Sequence, residues 1–125
     1  MTDVIRFNKK GGPIVAEATC GQAQQGSYTL TLWEAEENTV VMEKKGNFLN
    51  SDDDSYELPK PNGKNEGRLL QCSFRIALIP PINKYAVSVK VTQDGKTLGV
   101  VSKSGASDQP TVPVDLFAEL RAEGS

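Results

Sequence analysis

Few residues in this chain have the type and spacing to do chemistry. It carries 16 Asp and Glu, 14 Lys and Arg, 2 Cys, 1 Trp and 0 His. Without histidine, Ser-His-Asp and Cys-His nucleophilic sites, imidazole general bases and His-ligated zinc are excluded. The run Asp52, Asp53 and Asp54, with Glu57 close by, is the candidate cation site. Calcium takes about six to eight oxygen ligands, which loops rich in Asp and Asn can supply. Consecutive carboxylates converge on one ion less readily than an alternating Asp-x-Asp-x-Asp pattern, so a solvated acidic loop is the plainer reading. Cys20 and Cys72 lack the paired spacing of a thiolate metal site or a Cys-x-x-Cys redox pair, and read as two buried thiols rather than a disulfide. There is no phosphate loop of the Gly-x4-Gly-Lys-Ser/Thr type and no Gly-x-Gly-x-x-Gly opening a helix. A carboxylate-pair hydrolase keeps its raw material, yet no one pair stands out. The expected class is non-enzymatic, with no cofactor unless calcium binds.

The remaining chemistry is aromatic. Trp33 falls on the opposite parity to Leu30 and Leu32, which sets it on an outer sheet face beside Thr31 and Thr29, unless a register shift or bend turns it into the core or a loop covers it, the plainer reading for a large aromatic. An indole so placed can anchor a protein partner or stack on a sugar ring, and Tyr28 and Tyr56 are further candidates for such a platform.

These side chains need a scaffold, and residues 68–79 are its clearest part. Leu70, Cys72, Phe74, Ile76 and Leu78 alternate with Gln71, Ser73 and Arg75, which describes a half-buried strand in the middle of a sheet. Pro80-Pro81 stops it, since neither ring offers an amide hydrogen. Tyr85, Val87, Val89 and Val91 form the next inner face, ending at Asp94-Gly95, a dipeptide suited to a type I′ hairpin turn. That turn predicts pairing of Gln93 with Lys96, Thr92 with Thr97, Val91 with Leu98 and Val89 with Val100. Further strands are expected at 3–8, 14–20, 28–33 and 39–44, with a short one at 56–58 inside a long polar loop, 47–67. The last segment, 111–120, carries Val112, Val114, Leu116 and Ala118 on one parity and Pro113 on the other, which suggests a marginal strand. A short helix over 115–123 is the alternative. The expected architecture is all-β: an antiparallel β-sandwich of about seven or eight strands, with residues 1–125 forming one domain.

The order Cys20, Trp33, Cys72 resembles that of immunoglobulin domains, although Leu70 stands where they carry a tyrosine and Trp33 points outward. The resemblance implies the two-sheet architecture and no functional residue. A net charge of -2 gives no electrostatic reason to expect a polyanion as ligand, so nucleic acid is not an expected partner. No apolar leader or membrane-length run is visible, which points to a soluble cytoplasmic protein with no membrane contact. The functional expectation is a binding or adaptor module that meets a protein partner through an exposed sheet face or an edge strand such as 111–118. A lectin-like carbohydrate module, with or without calcium, and a structural subunit that self-associates into a homo-oligomer are the alternatives.

Overall fold

A computed structural model of the chain describes residues 3–21, 25–36, 38–47, 55–81 and 83–123. Period-two alternation becomes strand almost throughout: β1 (Asp3–Phe7), β2 (Ile14–Gly21), β3 (Gln25–Trp33), β4 (Val40–Asn47), β5 (Ser55–Glu57), β6 (Leu69–Ala77), β7 (Lys84–Gln93), β8 (Lys96–Ala106) and β9 (Thr111–Ala122). A 3-10 turn at Asn62–Asn65 completes the described elements. Five strands form one sheet in the order β1-β9-β6-β3-β4, and four form the other in the order β5-β2-β7-β8. The two pack as an all-β sandwich, with one strand more than the upper sequence count. Among the described residues, no helix is long and apolar enough to cross a membrane.

β6 lies at the centre of the larger sheet, as its alternation predicts. Its inner residues Leu70, Cys72, Phe74 and Ile76 are all fully buried, and Cys72 stands between Leu30 of β3 and Leu116 of β9 in the ladder. The facing layer comes from Ala16 and Ala18 of β2 and from Val87, Val89 and Val91 of β7. Cys20 and Cys72 belong to different sheets, and only Cys72 is fully buried.

Three expectations are corrected. The segment at 111–120 is not helical, and it is marginal only over residues 111–117. β9 runs to Ala122 with Val112, Val114, Leu116, Ala118 and Leu120 all inward, and it lies between β6 on one side and β1 on the other. Alternation sustained over that length outweighs the helical spacing of Leu116, Phe117 and Leu120. The β1 partner runs parallel, pairing Asp3 with Ala118 through Phe7 with Ala122, so the sandwich is not purely antiparallel. Residues 111–117 of β9 have no β1 partner, and there Pro113 removes an amide donor.

The β7–β8 hairpin also departs from prediction beyond its turn. Asp94 (φ 53°) and Gly95 (φ 74°) adopt the type I′ geometry, and Gln93 pairs with Lys96 and Thr92 with Thr97. Val91 then pairs with Gly99, and Val89 with Val101, because Leu98 is the extra residue of a β-bulge. The insertion reverses every later parity: Val101 turns inward, and Val100 is left 52% exposed. Gly99 accounts for the choice of site. A Cβ there would lie 2.9 Å from Cγ1 of Ile5, so only glycine lets β1 close over the hairpin without displacement.

Candidate functional site

The outer face of the five-stranded sheet concentrates large apolar groups at one end. Trp33 ends β3 with its side chain outward, and the ladders set Leu69 of β6 opposite it on one side and Val40 of β4 on the other. A bulge in β4 produces the second alignment: Leu32 pairs with Met42, Val41 is skipped, and Val40 comes to face the indole. One row along, Phe117 of β9 lies opposite Gln71, which in turn lies opposite Thr31. Val40 and Phe117 are 44% and 39% exposed, while Trp33 and Leu69 are half-buried. Trp33, Leu69 and Phe117, with Gln71, border a concavity of about 350 Å³.

Polar atoms of this face are already bonded to each other. The indole N–H donates to Gln71 Oε1 at 2.8 Å, which fixes the plane of the ring. Gln71 Nε2 donates to Ser73 Oγ at 3.3 Å and lies 3.5 Å from Asp115 Oδ1, and the Ser73 hydroxyl donates to the same carboxylate. The rim is held as firmly. Arg68, 8% exposed, donates from Nε and Nη2 to the two carboxylate oxygens of Glu34, each at 3.1 Å, and from Nη1 to Asn65 Oδ1 at 3.0 Å. Asn65 Nδ2 in turn donates to the carbonyl of Pro59 at 3.0 Å. Such a fork-on-fork pair ties the β3–β4 turn and the 3-10 turn to the start of β6.

The hydrogen bonds from Arg68, and then from the Ala35 amide, hold the Glu34 carboxyl below its ordinary range. The Ala122 amide, followed by Arg121, does the same for Glu66. Both groups are therefore anionic at neutral pH. Their contribution to stability is present above the ordinary carboxylate value and is lost as pH falls through the lowered one.

The structure divides the residues singled out in the sequence. Trp33 and Thr31 share the outer face, but Thr31 is only 7% exposed. Tyr28 points into the core and is 2% exposed; its ring meets Tyr56 edge-on at 6.3 Å, with an Oη–Oη hydrogen bond of 2.6 Å. Tyr56 belongs to β5 of the other sheet, so these two tyrosines bridge the layers and do not extend the Trp33 platform. Asp52, Asp53 and Asp54 lie outside the described residues. Among the described residues, no group of three or more His, Cys, Asp or Glu is placed to hold a metal ion.

Sequence reading overlooked Leu69, Phe117 and Val40. The first two had a signal: each is a large apolar residue on the outward parity of its own strand.

A second concavity, about 520 Å³, is bordered by Lys9, Lys60 and Asn62. Its floor is a structural clamp. Asn62 Nδ2 donates to the carbonyls of Gly11 and Gly12, at 3.0 and 2.9 Å. Gln93 Nε2 donates to the carbonyls of Asn8 and Gly12, at 2.7 and 3.0 Å, while the Gly12 amide donates to Asp94. These bonds fasten the β1–β2 turn to the β7–β8 hairpin.

The two long edge strands are blunted. Lys44 of β4 shares the inward parity of its partner Leu30, and Lys103 of β8 that of Val87; both lysines are exposed. An incoming strand would have to bury an ammonium group beside the core, which opposes edge-to-edge pairing. The double variant Lys44→Val/Lys103→Val is expected to associate with rising concentration in sedimentation velocity, while the parent is not expected to do so through these edges. A double variant whose sedimentation matches the parent at every concentration would remove the lysines' protective role.

No protein-family model matches the chain, and neither a curated protein nor a solved structure shows significant similarity to it.

Proposed function

We propose that this chain is a non-enzymatic binding module that takes a protein partner on the Trp33 face of its five-stranded sheet. The observation that carries this reading is the alignment of Val40, Trp33 and Leu69 across three strands with Phe117 beside them, over polar atoms that already bond to one another. Energetic centres of protein interfaces have this make-up, an aromatic anchor in an apolar patch ringed by polar groups. A sugar instead needs unengaged directional donors and acceptors around its stacking ring. Here Gln71 and Glu34 are bonded internally, and Tyr28 is buried. Strand addition is the weaker route, given Lys44, Lys103 and Pro113 at the available edges. The cytoplasm is the proposed location, since two cysteines kept as thiols suit a reducing compartment.

The test is affinity capture from the source cells with three proteins: the parent, Phe117→Ser and, as a control on the opposite sheet, Val100→Ser. Both replaced side chains are exposed, so melting temperatures should stay close to the parent's. The parent and Val100→Ser are expected to retain the same partner, and Phe117→Ser to bind it at least about thirty-fold more weakly, as loss of a hot-spot residue does. Equal capture by Phe117→Ser would refute the reading, and so would the absence of any partner.

A further inference from the structure

Charge around the Trp33 concavity is one-sided. Glu34 and Glu36 border it, Glu119 stands opposite Leu69, and Asp115 accepts the Ser73 hydroxyl one row away. Of the cations at this end of the face, Arg68 pairs with Glu34 and Arg121 with Glu66 and Glu119, while Arg6 stands opposite Arg121 on β1, beyond β9 from the indole. Among the described residues neither Glu36 nor Asp115 forms an ion pair, and no lysine borders the concavity.

We infer that the occupant of this face is a cationic segment of the partner protein, with a Lys or Arg side chain seated against the Trp33 indole and its charged end among Glu36 and the neighbouring carboxylates. This rests on the protein-docking reading above and adds the chemistry of the partner. An indole is the strongest of the aromatic cation acceptors, and its hydrogen bond to Gln71 holds the ring in place before binding. A stem of methylene groups suits Leu69 and Phe117, so one long basic side chain satisfies both the apolar floor and the acidic rim. At about 350 Å³ the concavity is at the small end of ligand-sized clefts, right for such a side chain and its immediate neighbours.

A library of random twelve-residue peptides displayed on phage supplies unbiased probes. Selection on the parent at low salt is expected to enrich sequences carrying Lys or Arg beside an apolar residue. A synthetic copy of a selected peptide should alter the fluorescence of the only tryptophan saturably. Its affinity should fall roughly two- to five-fold in Glu36→Gln, as expected for an exposed ion pair. It should fall further as salt rises, and at least about thirty-fold in Phe117→Ser. Enrichment of neutral or acidic peptides that still depend on Phe117 would overturn the cationic partner and leave the face standing. Peptides indifferent to Phe117→Ser, or no enrichment at all, would overturn both.

Discussion

Phe74→Ala is expected to lower the free energy of unfolding by about 3–5 kcal/mol, or roughly 10–20 °C in melting temperature. Phe74 is 1% exposed at the middle of β6, the strand that joins both halves of the larger sheet. Its ring lies 6.2 Å from that of Tyr28, tilted by 46°, and Tyr28 carries the contact on to Tyr56 across the sandwich. Truncation removes the transfer energy of a large side chain and also leaves Tyr28 without one wall. The neighbours cannot collapse into the space, because β3 and β9 are fixed to β6 by ladders on both sides. Tyr28→Phe is the control. It keeps the rings and deletes one hydroxyl of the Tyr28–Tyr56 bond, and since Tyr56 is only half-buried, water can replace the missing partner. That change should cost about 0.5–1.5 kcal/mol. Urea unfolding of the three proteins decides the matter: a Phe74→Ala loss no larger than that of Tyr28→Phe would mean that β6 is not the keystone of the core.

The central role of β6 was legible because side-chain parity depends on the backbone alone, and its inner face is apolar without interruption. The Asp94-Gly95 turn was legible for a similar reason, since the dipeptide's tolerance of positive φ is local. What escaped depends on contacts between distant residues. Leu98 reads as a regular strand position until Ile5 arrives over Gly99, and only then does a bulge become the better solution. Pro113 suggested a margin, and it does lie on an unpaired stretch, but nothing near it announces that β1 will pair with the other half of the same strand.

The Trp33 site was half legible. Parity alone set the indole outward, against the burial usual for so large a ring, while Thr31 seemed more open than it is and Tyr28 was grouped with it despite sharing the parity of the buried leucines. Assembly of the patch needed the register of four strands and the bulge at Val41, none of which a single segment encodes. The same registers oppose pairing at the open edges. They turn Lys44 and Lys103 inward at the open strands, and they gather the outward-facing apolar residues at one end of the sheet.

Alkaline solution should expose how tightly β6 encloses its sulfur. Burial, assisted by the nearby Asp115 carboxylate, pushes the Cys72 thiol from its ordinary 9.0 up to about 12. The native state therefore holds the proton over a range in which the unfolded chain releases it. Stability from this group is fully present below pH 9 and is lost as pH rises toward 12, at roughly 1.4 kcal/mol per pH unit. Cys72→Ala has no thiol to titrate. At pH 7 it should be the weaker protein by roughly 1 kcal/mol, the cost of a small void beside Leu30 and Leu116. Its deficit should vanish near pH 10, and at pH 11 it should be the more stable by about 1.5 kcal/mol, because the parent alone pays the thiol's ionisation penalty. Lysines and tyrosines titrate over the same range, but they are common to both proteins, so the difference between the two unfolding free energies isolates Cys72. Denaturant titrations at half-unit pH steps would measure it. A difference that stays constant from pH 8 to pH 11 would mean that the thiol ionises as readily in the folded protein as in the unfolded chain, and that the sheet admits water or a counter-charge to its centre.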